Sequence, residues 1–409
     1  MRGALIPLPV NVLVVMLGVT QIVSWGTLFY AIAVLGAPMR EALGASDITL
    51  FAAFSTGLLA SGFVAPVVGR DIDAHGGRRV LVCGSLLAAA SMALLAAAQN
   101  TPMLVAGWLL AGVASAATLY DAGFATLHQF AGTSFRRAVT VLTLLGGFAS
   151  TVFWPLSRYL LETAGWRQAF AVYAVLHLVL CLPVHALCVP RAAARAASAE
   201  ASQPSPRTMP AAFLWLAFAM SLVSFVAVAI SAHLMTLLSV TGLAARDAVL
   251  IGSLIGPMQV AGRIVEYGAA RNVAVTSTGT FAFALMAVAL CVLSQVHGVW
   301  IVALAFVITY GWANGVFTIV RGTVPRVLFG AEGYGALLGR LARPQFFARA
   351  IAPVTLSLVQ AIDGSRRVAP YLLAALGVVA FFAYRRALRL ASQPAPGGAQ
   401  RVVDDRGGD

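Results

Sequence analysis

Apolar runs long enough to cross a bilayer recur about twelve times along this chain, and no other feature limits its fold as severely. A helix rises about 1.5 Å per residue, so roughly 20 apolar residues span the hydrocarbon core. The runs in the first half are Val10–Leu35, Ile48–Val68, Val80–Ala98, Met103–Leu127, Ala138–Leu161 and Ala169–Val189. Those in the second half are Ala211–Leu238, Ala248–Val265, Val273–Leu293, Val299–Val320, Leu341–Ile362 and Val368–Tyr384. With 60% hydrophobic and only 10% charged residues, and a mean hydropathy of +0.89, the chain cannot clothe a water-facing surface. The expected fold is an all-α membrane protein of about twelve transmembrane helices in two six-helix bundles.

The break between the bundles falls at residues 190–210, where Pro, Ser and Arg replace the apolar periodicity. The predicted organisation is an N-terminal bundle (1–189), a cytoplasmic linker (190–210), a C-terminal bundle (211–384) and a disordered cytoplasmic tail (385–409). An even number of spans puts both termini on one side. Arg70, Arg78, Arg79, Arg136, Arg137, Arg321, Arg326, Arg385, Arg386 and Arg389 then crowd the side that carries the termini, which the positive-inside rule makes cytoplasmic.

A formal charge of +13 would point to nucleic acid in a soluble domain. Here the arginines lie in loops and ends, so membrane lipid and topology account for them and no nucleic-acid partner is expected. The chain has no lysine, which excludes a Walker phosphate loop and ATP hydrolysis through it. Cys83, Cys181, Cys188 and Cys291 lie in or beside apolar runs and read as packing residues. No pattern for a metal, a cofactor or a catalytic nucleophile stands in the spans, so an enzyme is not expected. The first apolar segment is too long for a cleaved signal and reads as the first span.

Between the second and third runs lies Gly-Arg-Asp-Ile-Asp-Ala-His-Gly-Gly-Arg-Arg, residues 69–79. A tight cytoplasmic turn explains the arginines. The spacing of Gly69, Asp73, Gly76, Arg78 and Arg79 resembles, in addition, the loop between the second and third helices of the major facilitator superfamily of secondary transporters. A glycine there lets another backbone approach, and an aspartate can accept from a helix N-terminus or an arginine. The resemblance implies that these five residues gate the cytoplasmic side. Gly165-Trp166-Arg167-Gln168-Ala169-Phe170 is similar to a turn common before the sixth helix of that superfamily.

Within lipid the informative residues are the polar ones. Asp121 sits deep in the fourth run, about 27 Å from its outer end at helical rise, as a proton-coupling carboxylate or the structural partner of an arginine. His233, in the seventh run, is a second proton-coupling candidate or a hydrogen-bonded packing residue. Gln21, Trp25 and Tyr30 in the first run and Asn314 in the tenth are candidate cavity-lining, substrate-binding residues, with interfacial anchoring or helix packing as the equal alternative for each. Bacterial oxalate/formate exchangers and monocarboxylate transporters carry an arginine in the eighth helix that meets the substrate carboxylate. By that resemblance Arg263 is the anion-binding candidate, with a snorkelling arginine paired to Glu266 as the other reading. The exchangers have a second cation in the eleventh helix, for which Arg349, about 20 Å from the outer end, is the analogue.

These residues predict a secondary transporter in a bacterial inner membrane that moves a small organic solute by alternating access. An organic anion is favoured, with protons as the coupling ion and a monomer as the working unit. The alternative is proton-driven efflux of a larger metabolite such as a siderophore or drug. Drug/proton antiporters of the superfamily carry an arginine early in the fourth helix, and Val105–Gly112 has none. A membrane-embedded enzyme or sensor is the remaining alternative.

Overall fold

The computed structural model describes residues 9–191, 210–240, 242–269, 272–362 and 368–392. The predicted linker, apart from its ends, and the tail beyond residue 392 lie outside the described residues. Every regular element among the described residues is helical. In chain order they are α1 (Val10–Trp25), α2 (Ala31–Ala42), α3 (Asp47–His75), α4 (Gly77–Ala96), α5 (Thr101–Thr118), α6 (Tyr120–Ala131), α7 (Phe135–Gly146), α8 (Ala149–Ala164) and α9 (Trp166–Leu176). Then follow α10 (Ala211–Val240), α11 (Ala245–Ser253), α12 (Ile255–Ala269), α13 (Val275–Leu293), α14 (Trp300–Phe329), α15 (Tyr334–Ile362) and α16 (Val368–Ala391). Wider π-helical turns occupy Gly26–Tyr30, His177–Cys181 and Val184–Cys188.

Among the described residues nine helical stretches are long and apolar enough to span a membrane, against about twelve predicted. The difference has local causes. The 64-residue stretch Thr101–Ala164 contains two predicted runs. The predicted run Ala248–Val265 is interrupted at Leu254, between α11 and α12. Leu341–Ile362 is helical within α15, but Arg340, Arg343 and Arg349 lower the hydropathy of that helix. At the C-terminal end α16 continues through residues 385–391, past the predicted start of the tail. Ala387, buried, alternates there with exposed arginines and holds the last turns against the protein.

The chain divides into two compact units, Met1–Glu200 with Ala331–Ala350, and Ala201–Gly330 with Ile351–Asp409. Unit 1 thus includes a segment that chain order alone would assign to the second bundle. The reason is a run of small residues on α3. Gly57, Ser61, Ala65 and Gly69 recur every four residues and form one flat face, the arrangement that lets membrane helices meet backbone to backbone. The α5 side of that face is tight. A Cβ on Gly112 would stand 1.9 Å from the Gly57 carbonyl oxygen, and Ser61 Oγ donates to the Gly112 carbonyl at 2.6 Å. The start of α15 meets the same face antiparallel: a Cβ on Gly339 would lie 2.3 Å from the Ala65 carbonyl oxygen, and one on Gly335 2.5 Å from that of Gly69. Leu58, Ala65, Ala116, Ala342 and Phe346 pack into one buried cluster there.

In unit 2, α12 and α14 use the same device: Cβ atoms on Gly311 and Gly315 would lie 2.9 Å from the Ile255 and 2.3 Å from the Gln259 carbonyl oxygens. Because overpacking costs about 1–3 kcal/mol, Gly112→Ala should lower the melting temperature of the purified protein. Gly268→Ala, on α12 with nothing within 4 Å of the added methyl, should not. Equal melting of both variants would contradict the close α3–α5 packing.

Candidate functional site

The turn between α3 and α4 is built from the residues 69–79. Ile72 is buried and its carbonyl accepts from the Gly76 amide at 2.9 Å. Gly76 turns the chain at φ +86°, a conformation side chains disfavour. Gln129 on α6 grips both sides of the turn, donating to the Ile72 carbonyl at 2.7 Å and accepting from the Gly77 amide at 3.1 Å. The Asp73 carboxylate accepts from the Gly335 and Ala336 amides at 2.8 and 2.7 Å. These amides belong to the first turn of α15, which has no intrahelical acceptor and carries the positive end of the helix dipole. A Cβ on Gly69 would sit 2.0 Å from the Gly335 carbonyl oxygen, so the cap forms only with glycine at 69. His128 adds a hydrogen bond with the Ala331 carbonyl at 2.9 Å and packs on Tyr334, ring centroids 4.6 Å apart. Arg78 is half-buried and Arg79 exposed in the first turn of α4. Neither His128 nor Gln129 was picked out from sequence, since nothing near them marks a partner 203 or 57 residues away in the chain.

Further along α15, Arg349 lines a cleft in unit 1 with Phe346 from the same helix, Trp25 and Phe29 from the first span, Phe54 and Ser61 from α3, and Trp108 and Ser115 from α5. The π-helical turn Gly26–Tyr30 begins just after Trp25 and fixes the direction of the aromatic side chains around it. Trp25 packs against Phe29, Tyr30 and Tyr120 with centroids 5.4, 6.2 and 5.0 Å apart. Tyr30 in turn meets Trp154 at 6.2 Å. The Arg349 guanidinium lies 5.2 Å from the Phe346 ring centroid, within cation–π range. Trp25 Nε1 and Trp108 Nε1 are buried without an acceptor. A buried unmade donor costs about 1–3 kcal/mol, so each is a place where an acceptor would be welcome. Among the described residues no carboxylate lines the cleft. Its volume is about 320 Å³ counting the open mouth, but the enclosed part holds little more than a water molecule, so it is nearly shut.

Gln21 stands one turn before Trp25. Its Nε2 donates to the Thr118 carbonyl at 2.6 Å. This explains a feature the sequence does not announce: the fourth span breaks at Leu119, which is extended at ψ −170°, between α5 and α6. A break within lipid frees backbone carbonyls, and Gln21 satisfies one of them. Asp121 therefore lies in the first turn of a new helix, half-buried, where the N-terminal end favours a carboxylate.

A buried polar ladder also joins the first span to the sixth. Thr27 donates to the Val23 carbonyl at 2.9 Å, so its oxygen accepts from His177 Nε2–H at 2.8 Å. Thr20 donates to the Leu17 carbonyl at 2.8 Å and accepts from His185 Nε2–H at 3.0 Å; His185 Nδ1 lies 2.7 Å from the Ser85 hydroxyl, whose proton is shared with the Leu81 carbonyl at 3.1 Å. Both rings are fully buried. The eight-residue spacing of His177 and His185 around buried Cys181, facing Thr20, Ser24 and Thr27, was the available signal and went unread. Ser85→Ala strands a histidine nitrogen in the membrane interior. It should destabilise the protein by about 1–2 kcal/mol in thermal melting, whereas a role confined to packing volume predicts no such loss.

The remaining candidates make their contacts in unit 2. Arg263 on α12 is 3% exposed; its Nε donates to Thr318 Oγ1 at 3.2 Å and its Nη1 has no partner. It is thus buried against α14 rather than reaching to an aqueous surface. Asn314 is half-buried on α14. His233 on α10 donates from Nε2 to the Pro353 carbonyl at 3.1 Å. The structure brings Trp25 and Arg349 together in the cleft, while Tyr30 packs on Trp25 and Gln21 on the Thr118 carbonyl outside the lining, and Gly69 and Asp73 meet the start of the helix that carries Arg349.

The family model of the Major Facilitator Superfamily matches residues 17–266, more than half of the chain. Among solved structures, the human organic anion transporter MFSD10 (TETRAN) superposes with a TM-score of 0.71 at 16% identity, covering 92% of this chain and 100% of that one. The E. coli fucose:proton symporter FucP superposes with a TM-score of 0.72 at 14% identity, covering 92% of this chain and 99% of that one. No curated protein sequence matches.

Proposed function

The chain belongs to the major facilitator superfamily of secondary transporters, and on that premise we propose that its solute is a small organic anion, moved by alternating access and coupled to protons. It is a multi-pass membrane protein, and its family points to a transporter of a small molecule rather than to a membrane-embedded enzyme or sensor. The observation that carries the anion reading is the cleft: an arginine beside aromatic walls, two indole N–H groups lacking acceptors and, among the described residues, no acid on the lining. A guanidinium placed there offers a planar fork for a carboxylate. The oxalate/formate and monocarboxylate branch remains the favoured kinship, with the bacterial inner membrane as location, both termini cytoplasmic and a monomer as the working unit. One structural neighbour is an organic anion transporter and the other a proton symporter, which is compatible with this reading.

The gating follows from the shared helix. Asp73 and Gly69 hold the first turn of α15, while Phe346 and Arg349 on the same helix line the cleft. An anion that draws Arg349 toward it pulls on α15, and the cap must release for the cleft to widen. Arg78 and Arg79 flank this cap at the start of α4. Within unit 2, Arg263, with its unpartnered Nη1, and Asn314 are kept as further candidate solute contacts. Proton coupling is assigned to Asp121, with His233 as its second candidate. In proteoliposomes Asp121→Asn should abolish accumulation driven by a proton gradient while retaining anion exchange. Gradient-driven accumulation at the wild-type level by that variant would remove Asp121 from the coupling.

A further inference from the structure

The walls of the cleft say more about the solute than its charge. Trp25, Phe29, Phe54 and Trp108 form an unbroken chain of edge-on ring contacts, with centroids 5.4, 5.7 and 5.2 Å apart and interplanar angles of 72°, 62° and 84°. The chain runs from the first span across α3 to α5 and faces Phe346 and Arg349 on α15. Rings so arranged present both faces and edges, and a further ring fits them by the same offset or T-shaped geometry. The only charge on the lining is Arg349. Trp108 is 1% exposed and its Nε1, like that of Trp25, is buried without an acceptor, so the donor demand lies within the aromatic wall itself.

We infer that the cleft takes an aryl carboxylate: the carboxylate meets the Arg349 guanidinium and an indole N–H, and the ring inserts among Trp25, Phe29, Phe54 and Phe346. The inference rests on the organic-anion reading and narrows it. A small aliphatic acid would satisfy the arginine and leave the rings unused, whereas a cation would meet Arg349 as a like charge. Since the cleft now has room only for a water-sized centre, the ring enters when Phe346 and Arg349 withdraw with α15.

The test is equilibrium binding to the full-length protein, read by intrinsic tryptophan fluorescence and by melting temperature, with benzoate, cyclohexanecarboxylate, acetate, benzyl alcohol and benzylamine as probes. Benzoate should bind at least ~10-fold more tightly than acetate and several-fold more tightly than cyclohexanecarboxylate. Trp25→Leu and, separately, Phe54→Leu should weaken benzoate but leave acetate unchanged, while Arg349→Gln weakens both. Equal affinity for benzoate, cyclohexanecarboxylate and acetate overturns the aryl inference and leaves the organic-anion reading standing. Binding of benzyl alcohol or benzylamine without any carboxylate, or no binding of any probe, overturns both. The wild-type panel alone decides between these outcomes if a variant does not fold.

Discussion

Gly69→Ala should reduce transport by ~10-fold or more while the protein still folds. The added Cβ would lie 2.0 Å from the Gly335 carbonyl oxygen, where ordinary contact needs more than 3 Å. The obstacle is backbone and not the tip of a flexible side chain, so the first turn of α15 must retreat by about 1 Å. Hydrogen bonds to Asp73 at 2.8 and 2.7 Å then stretch past useful length. The capped conformation is lost, although the rest of the α3 face, from Gly57 to Ala65, keeps its partners. Asp73→Asn is the milder companion: the shape survives, but a charge-assisted cap at a helix N-terminus becomes neutral, a loss of about 1 kcal/mol. Initial rates in proteoliposomes, with melting temperatures as the folding control, check both. A Gly69→Ala protein transporting at the wild-type rate would show that the Asp73 cap is not part of the transport cycle.

Arg349→Gln should weaken organic-anion binding by about 10- to 100-fold, the range for removing a charged hydrogen-bond partner worth about 1.5–3 kcal/mol. Glutamine keeps polarity and much of the length, so the loss reports charge and bidentate geometry rather than volume. Arg263→Gln is the informative comparison. Arg263 already spends its Nε on Thr318 and is 3% exposed, so if it helps to hold α12 against α14 its loss should appear in melting temperature. Isothermal titration or fluorescence with a carboxylate separates the two. Unchanged affinity in Arg349→Gln, with loss in Arg263→Gln, would transfer the anion site to α12.

Much of the helical architecture was legible because the bilayer enforces it. A run such as Val80–Ala98 or Val273–Leu293 has no other way to satisfy its backbone in lipid. The five residues around Gly69–Arg79 were legible as a unit because glycine, aspartate and arginine are costly in so short an interval unless each has a task. Their partner was not. Gly335 and Ala336 precede the predicted run Leu341–Ile362, and only the close approach of two backbones joins them to Gly69. The break at Leu119 was illegible for a related reason: neither proline nor glycine marks it, and the side chain that tolerates it, Gln21, is 97 residues away. Gln21 was picked out for its polarity and turned out to serve the backbone. The α15 arginines made that helix look marginal by hydropathy, yet Arg349 lies on it beside aromatic rings that give its charge a setting. The histidine ladder was overlooked because apolar context hides hydroxyl partners, and each rung depends on a residue in another span.

Organic-anion flux through the Arg349 cleft is the central claim, and uptake into proteoliposomes measures it directly. Labelled benzoate should enter protein-containing vesicles saturably, accumulate when an inward proton gradient is imposed, and fail to do so when Arg349→Gln replaces the wild type. Uptake no faster than through protein-free vesicles, or saturable uptake unaffected by Arg349→Gln, would contradict it.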